Sequence, residues 1–162
     1  MKKRKGWCLP MVANTLTQPI KASQLKSDIN PDWCPGCGDF GIVNAIQQSL
    51  ATLQIPPWDV YFLSGVGCSG KASHYVKAYG AHTLHGRVLP YALGAKMANP
   101  DLTVLAAGGD GDGLGIGAGH FVHAGRRNVD MTYVILVRLI RGLSPFYPDN
   151  NHIHHRLMNF IR

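Results

Sequence analysis

No glutamate occurs among the 162 residues, so every carboxylate in the chain is one of nine aspartates or the C-terminus. Charge is sparse, at 15% of residues. There is no apolar run of the 18 or more residues that a membrane-spanning helix needs, which speaks against a membrane partner. The basic start, Lys2-Lys3-Arg4-Lys5, is not followed by the apolar stretch of a secretory signal, and the expected location is cytoplasmic. Cysteines are few: Cys8, Cys34, Cys37 and Cys68. In a reducing compartment such thiols point to metal binding or catalysis before disulfides. The net charge of +7 has little to do with a folded face. Residues 2–5 supply +4, residues 137–162 supply +3, and the stretch between holds eight basic and eight acidic side chains. A nucleic-acid binder carries its excess on the folded surface, so nucleic acid is not an expected partner.

What is abundant is glycine, with 19 residues, and the densest run organises the chain. Thr103–Leu136 opens on the apolar run Val104-Leu105-Ala106-Ala107. It breaks into Gly108-Gly109-Asp110-Gly111-Asp112-Gly113, resumes as a helical pattern and closes on Met131-Thr132-Tyr133-Val134-Ile135-Leu136. This is a strand–turn–helix–strand pattern and predicts a parallel α/β sheet with flanking helices. Ligands of such sheets sit outside the carboxyl ends of strands, and a glycine-rich turn bares backbone N–H groups for phosphate oxygens. Two aspartates in the turn would repel a phosphate unless a cation lay between them, and Mg²⁺ is the usual one. Gly109, Asp110, Gly111 and Asp112 are therefore candidates for a Mg²⁺–diphosphate site. A dinucleotide fingerprint ranks below it, because Asp130 precedes the next strand instead of ending it.

The length suits one domain. Residues 1–30 read as an irregular arm carrying an incidental Cys8, residues 31–136 as the α/β domain, and residues 137–162 as a divergent, poorly ordered tail. In Trp33-Cys34-Pro35-Gly36-Cys37-Gly38 the two cysteines form a tight knuckle. Zinc, a redox disulfide and an iron–sulfur cluster all use such a knuckle, and zinc ranks first on the residues alone. Asp39 is placed to cap a helix over Ile42–Leu53, with Ile42, Ala45, Ile46 and Leu50 on one face. A strand over Val60–Leu63 runs into a second glycine-rich turn, Ser64-Gly65-Val66-Gly67-Cys68-Ser69-Gly70-Lys71, whose spacing is not that of a P-loop. His82-Thr83-Leu84-His85-Gly86-Arg87 precedes a small-residue helix over Tyr91–Ala98, stopped by Asn99-Pro100. A last helix ends at Arg126-Arg127, where basic residues suit the dipole.

The motifs Trp33–Gly38, Gly65–Lys71, His82–Arg87 and Gly109–Gly113, in that order, give residues 30–136 a close resemblance to the β subunit of 2-oxoacid:ferredoxin oxidoreductases. The resemblance implies a thiamine diphosphate-binding fold, incomplete in this chain. It makes Cys34, Cys37 and Cys68 three of the four ligands of a [4Fe–4S] cluster, which moves iron–sulfur ahead of zinc. It makes Asp110 a Mg²⁺ ligand and sets Gly67, Cys68, Ser69, His85, Gly86, Gly109, Asp110, Gly111 and Asp112 at the cofactor. Oxidative decarboxylation of a 2-oxoacid to an acyl-CoA, with electrons passed to ferredoxin, is the implied reaction. The absent glutamate then matters. Thiamine enzymes use one to activate the aminopyrimidine, so an α subunit must supply it.

The resemblance stops at residue 137. The family's second Mg²⁺ ligand, an asparagine, falls where this chain has Arg138, which cannot ligate a metal. No cysteine follows Cys68, and the tail Ser144–Arg162 turns abruptly to Pro, Asn, His and Arg. A shifted reading frame or a truncated copy is expected, and this chain is expected to be inactive. The alternatives are a zinc-binding module built on the same cysteines and a module that binds the partner subunit without turnover.

Overall fold

A computed structural model describes residues 18–136. Cys8, Arg138 and the tail therefore lie outside the described residues. Four parallel strands form one sheet: β1 (Val60–Ser64), β2 (Tyr79–His82), β3 (Thr103–Gly109) and β4 (Thr132–Leu136), in the order β2-β1-β3-β4. Among the described residues, three α-helices accompany them: α1 (Asp39–Thr52), α2 (Val88–Ala98) and α3 (Ala118–Arg127).

Alternation along the strands divides the core between two faces. Phe62 and Ala107 turn to one face, where they meet Leu25, Trp33, Val43, Leu50, Tyr75 and Val76. Leu63, Val104 and Ala106 turn to the other, onto Val88, Leu89 and Ala92 of α2 and Ala124 of α3. Both faces are covered, as a parallel sheet requires, and the central β1 and β3 are accordingly almost wholly apolar.

The order reverses between β1 and β3. β1 leads to β2 on one side, and the chain then crosses back to place β3 on the other. Ser64 lies opposite Ala107 in the register, and Gly65 N–H donates to Ala107 O at 2.8 Å. The two glycine-rich turns thus leave the sheet side by side at its carboxyl edge. In open α/β sheets this reversal opens the ligand crevice.

Several expectations change. The irregular arm was drawn through residue 30, yet Ile20 and Leu25 are buried in the core and Ala22–Leu25 forms a 3₁₀ turn. α1 begins at Asp39, and Asp39 is not its cap: Gly38 holds that position and makes no side-chain cap bond. The buried face of α1 is Asp39, Val43, Gln47 and Leu50, and Ala45 is exposed. Gln47 is drawn inward because its Nε2 donates to Tyr75 O at 2.9 Å. α2 starts three residues earlier than the sequence pattern suggests, at Val88. β2 is an edge strand that the sequence did not reveal, because its exposed Tyr-Gly-Ala-His run has no apolar alternation.

Candidate functional site

The turn after β3 is helical. Asp110 leads into a wide π-type turn over Gly111–Ile116, closed by Gly117 N–H donating to Asp112 O at 2.9 Å. Such single wide turns recur at functional sites. Side chains two apart on a helical turn do not share a face, so Asp110 and Asp112 diverge. Asp110 sits at the carboxyl end of β3 and keeps 7% of its surface exposed; Asp112 keeps 1%.

Asp112 points inward and ties the site together. Its Oδ1 accepts the Val66 N–H at 3.0 Å and the Gly86 N–H at 2.7 Å, and the His85 Nδ1 stands 3.5 Å away. Among the described residues, neither the buried Oδ2 nor the buried Tyr133 hydroxyl has a hydrogen-bond partner. Both atoms flank Gly108, where an added Cβ would lie 2.7 Å from Oδ2 and 2.9 Å from the phenol oxygen. Gly65 faces the same carboxylate: a Cβ there would overlap Oδ2 and lie 2.6 Å from Cγ. Gly86 holds φ +71°, a left-handed conformation that suits glycine. Burial pushes the Tyr133 phenol well above its ordinary value, and the Asp112 charge adds to the shift.

The loop between β2 and α2 is moored to the end of β1, since both N–H and Oγ1 of Thr83 donate to Ser64 O, at 2.8 and 2.9 Å. The result is a shallow cradle. Gly67, Cys68, His85 and Gly111 are exposed at its mouth, and Ser69, Gly86, Asp110 and Asp112 are buried beneath. Gly109, half-buried, ends β3 beside them. The residues singled out from the sequence therefore converge from three segments, with one difference: Asp112 lies under the cradle instead of in it. Sequence reasoning passed over Tyr133 and the Val66 amide, which carry no motif signal of their own.

The cysteines are held by a second set of contacts. Cys37 N–H donates to Cys34 O at 3.0 Å, closing the knuckle. Trp33 Nε1–H donates to Cys68 O at 2.8 Å, while its ring packs edge-on against Tyr75 and Phe40. Asp32 next door accepts from Lys71 Nζ at 2.7 Å and from the Tyr75 hydroxyl at 2.6 Å. The knuckle and the Cys68 loop, more than 30 residues apart in sequence, are thereby bound to each other. Cys34 and Cys68 are exposed and Cys37 is half-buried. Burial raises the Cys37 pKa, and its Sγ donates to the buried Asp39 Oδ2 at 3.3 Å. Among the described residues, no three His, Cys, Asp or Glu side chains are gathered closely enough to hold a metal ion as they stand. Thiols are donors of the chemistry that a thiophilic metal or cluster takes.

The sheet and its helical turn resemble a domain of the thiamine pyrophosphate enzymes: the family described as "Thiamine pyrophosphate enzyme, C-terminal TPP binding domain" matches residues 65–137. Among curated proteins, the chain is 56% identical over 122 residues to the 2-oxoacid:ferredoxin oxidoreductase subunit beta of Saccharolobus solfataricus, covering 74% of this chain and 40% of that one. It is 42% identical over 130 residues to the 2-oxoglutarate oxidoreductase subunit KorB of Mycobacterium tuberculosis, covering 80% and 35%. Among solved structures, a 2-oxoglutarate:ferredoxin oxidoreductase from Magnetococcus marinus, with 2-oxoglutarate, coenzyme A and succinyl-CoA bound, matches with a TM-score of 0.71. The identity is 44%, over 75% of this chain and 43% of that one. The shared stretch is similar to the β subunits of the 2-oxoacid:ferredoxin oxidoreductases. The chain spans about two fifths of the length of the curated relatives it matches.

Proposed function

We propose that this chain forms the Mg²⁺–thiamine diphosphate-binding part of a 2-oxoacid:ferredoxin oxidoreductase β subunit. The observation that carries the reading is the position of Asp110. It directly follows the last residue of β3 at the reversal of strand order, between two glycine-rich segments. Asp110 would hold Mg²⁺. The backbone of Gly67, Gly86, Gly109 and Gly111, with Ser69 and His85, would line the diphosphate, and Cys68 would stand at the mouth. Bound thiamine diphosphate supplies a carbanion able to attack a 2-oxoacid, and the protein's share is to hold and orient it. A glutamate activates the aminopyrimidine, and an α subunit would contribute it. Cys34, Cys37 and Cys68 would carry three corners of a [4Fe–4S] cluster that passes electrons to ferredoxin. Coenzyme A and the 2-oxoacid are the remaining reactants. Arg138, where the family has asparagine, would weaken Mg²⁺ binding, so turnover by this chain is expected to be low or absent. No described helix is long and apolar enough to cross a membrane, and the proposed setting is cytoplasmic.

The test is calorimetric titration of thiamine diphosphate with Mg²⁺, alongside metal analysis of anaerobically purified chain. Saturable binding abolished by Asp110→Ala, with iron, sulfide and broad visible absorption lost on Cys34→Ser, is the expected result. A colourless, zinc-loaded protein would replace the cluster with a structural zinc site. Binding that Asp110→Ala leaves intact would overturn the assignment of the cradle.

A further inference from the structure

The two aspartates of the glycine-rich turn look equivalent in sequence, and the fold makes them different. We infer that Asp112 is a positioning residue: it never meets the cofactor or its cation, but sets the shape of the cradle that receives them. This rests on the reading of Asp110 as the cation ligand.

Three observations carry it. The side chain is 0% exposed, so it offers no oxygen to the mouth of the cradle. Its Oδ1 accepts the Val66 N–H and the Gly86 N–H, from segments 46 and 26 residues away in the sequence. Those segments form the other two walls, and His85, which lines one of them, has its Nδ1 3.5 Å from the same oxygen. Third, the backbone is carved to admit this carboxylate. Gly65 and Gly108 both leave the space that a Cβ would otherwise take from Asp112. A carboxylate accepting two backbone N–H groups is a strong, directional link. Here it joins the end of β1, the approach to α2 and the turn after β3 at one atom. Amides at a phosphate site act through their direction, so a fixed wall means a fixed set of donors.

The role differs from that of a ligand in what replacement does. Asparagine at 112 keeps an Oδ1 that can accept both amides. Alanine removes the link and leaves both N–H groups facing a void. Indirect supports of this kind typically change affinity about 10–100-fold when lost.

The experiment uses the full chain and two readouts. The first is amide hydrogen exchange of residues 64–68 and 84–88 without ligand. The second is thiamine diphosphate affinity at saturating Mg²⁺, measured well below each variant's melting temperature. Asp112→Ala is expected to speed exchange in both segments and to weaken affinity about 10–100-fold. Asp112→Asn should keep slow exchange and stay within a few-fold of the parent, whereas Asp110→Asn should lose binding with exchange unchanged. Parental affinity in folded Asp112→Ala would overturn the inference, as would an Asp112→Asn as impaired as Asp110→Asn. Should Asp112→Ala not fold, the contrast between the two asparagine variants decides. Should the parent chain bind no thiamine diphosphate, the proposed function fails. The exchange data would then decide the inference alone, with unchanged protection in Asp112→Ala overturning it.

Discussion

Gly65→Ala puts one methyl group where the Asp112 carboxylate already stands. The added Cβ would overlap Oδ2 and lie 2.6 Å from Cγ. A clash with the tip of a flexible side chain is normally relieved by a rotation. Asp112 has no such freedom, because Oδ1 is anchored by the Val66 and Gly86 amides and the whole side chain is buried. Moving it breaks at least one hydrogen bond to a charged acceptor, worth about 1.5–3 kcal/mol. Overpacking without movement costs about 1–3 kcal/mol. A loss of about 3 kcal/mol follows, which for a domain of this size lowers the melting temperature by roughly 6–12 °C. Thermal denaturation followed by circular dichroism measures it. Gly111→Ala is the control, since nothing lies within 4 Å of a Cβ there, and its change should stay within about 0.5 kcal/mol. The sharper comparison is the double variant. With Asp112→Ala already in place, Gly65→Ala should cost nothing further, because the obstacle is gone and the methyl enters the space it left. A Gly65→Ala chain melting within about 2 °C of the parent would refute the reasoning. So would equal penalties in the two backgrounds.

Tyr133→Phe removes a buried hydroxyl that has no partner among the described residues and should leave stability unchanged or raise it by up to about 1 kcal/mol in urea unfolding; a loss above about 1 kcal/mol would mean the hydroxyl is satisfied after all. In the parent, burial and then the Asp112 charge disfavour the ionised phenol, so the neutral hydroxyl costs no ionic penalty below the ordinary tyrosine range and the fold loses stability above it. Ultraviolet titration should therefore show one tyrosine ionising only as the protein unfolds. Asp32 is held below its ordinary 3.8 by Lys71 and then Tyr75. Its contribution is present above that value and is lost as the pH falls through the depressed one. The melting-temperature gap between the parent and Asp32→Asn should therefore close on acidification below about pH 4; a constant gap would contradict the pairing. Trp33→Phe keeps the ring contacts and deletes the N–H to Cys68 O, for an expected loss of about 1 kcal/mol in urea unfolding; no loss would show that this bond does not secure the Cys68 loop.

The site was legible where chemistry and chain direction coincide. The strand–turn–helix–strand unit from β3 to β4 shows in the sequence because apolar runs bracket a glycine run, and both runs proved to be parallel neighbours in the sheet. β2 was not legible. It is an edge strand of four mostly exposed residues, and its place is set by pairing with Tyr61–Ser64, a long-range fact. The face of α1 was misjudged for a similar reason. Gln47 is polar by composition, yet it is buried by one hydrogen bond to a carbonyl 28 residues away. Asp39 invited a capping role because it precedes an apolar pattern, but the helix takes it in and the Cys37 thiol occupies its carboxylate.

The Asp110–Asp112 pair shows why spacing misled where residue type did not. In an open loop, two aspartates separated by one glycine can both turn to a cation. In a helical turn they cannot, since positions two apart point to nearly opposite sides of the axis. The chain adopts the helical turn, so the pair splits into one carboxylate at the strand end and one beneath the backbone. The buried one then dictates composition elsewhere. Gly65 and Gly108, apart in sequence and on different strand ends, must lack side chains for the same reason: the Asp112 carboxylate fills the space between them. Glycine density in this chain thus reports two different demands. At Gly86, with φ +71°, it reports backbone conformation; at Gly65 and Gly108 it reports room for a buried charge. A survey of single alanine replacements should separate them. The penalties at Gly65 and Gly108 should depend on whether residue 112 is Asp or Ala, and the penalty at Gly86 should persist in both backgrounds, because its cost lies in its own left-handed backbone and in the Ile116–Gly117 segment that a Cβ would meet.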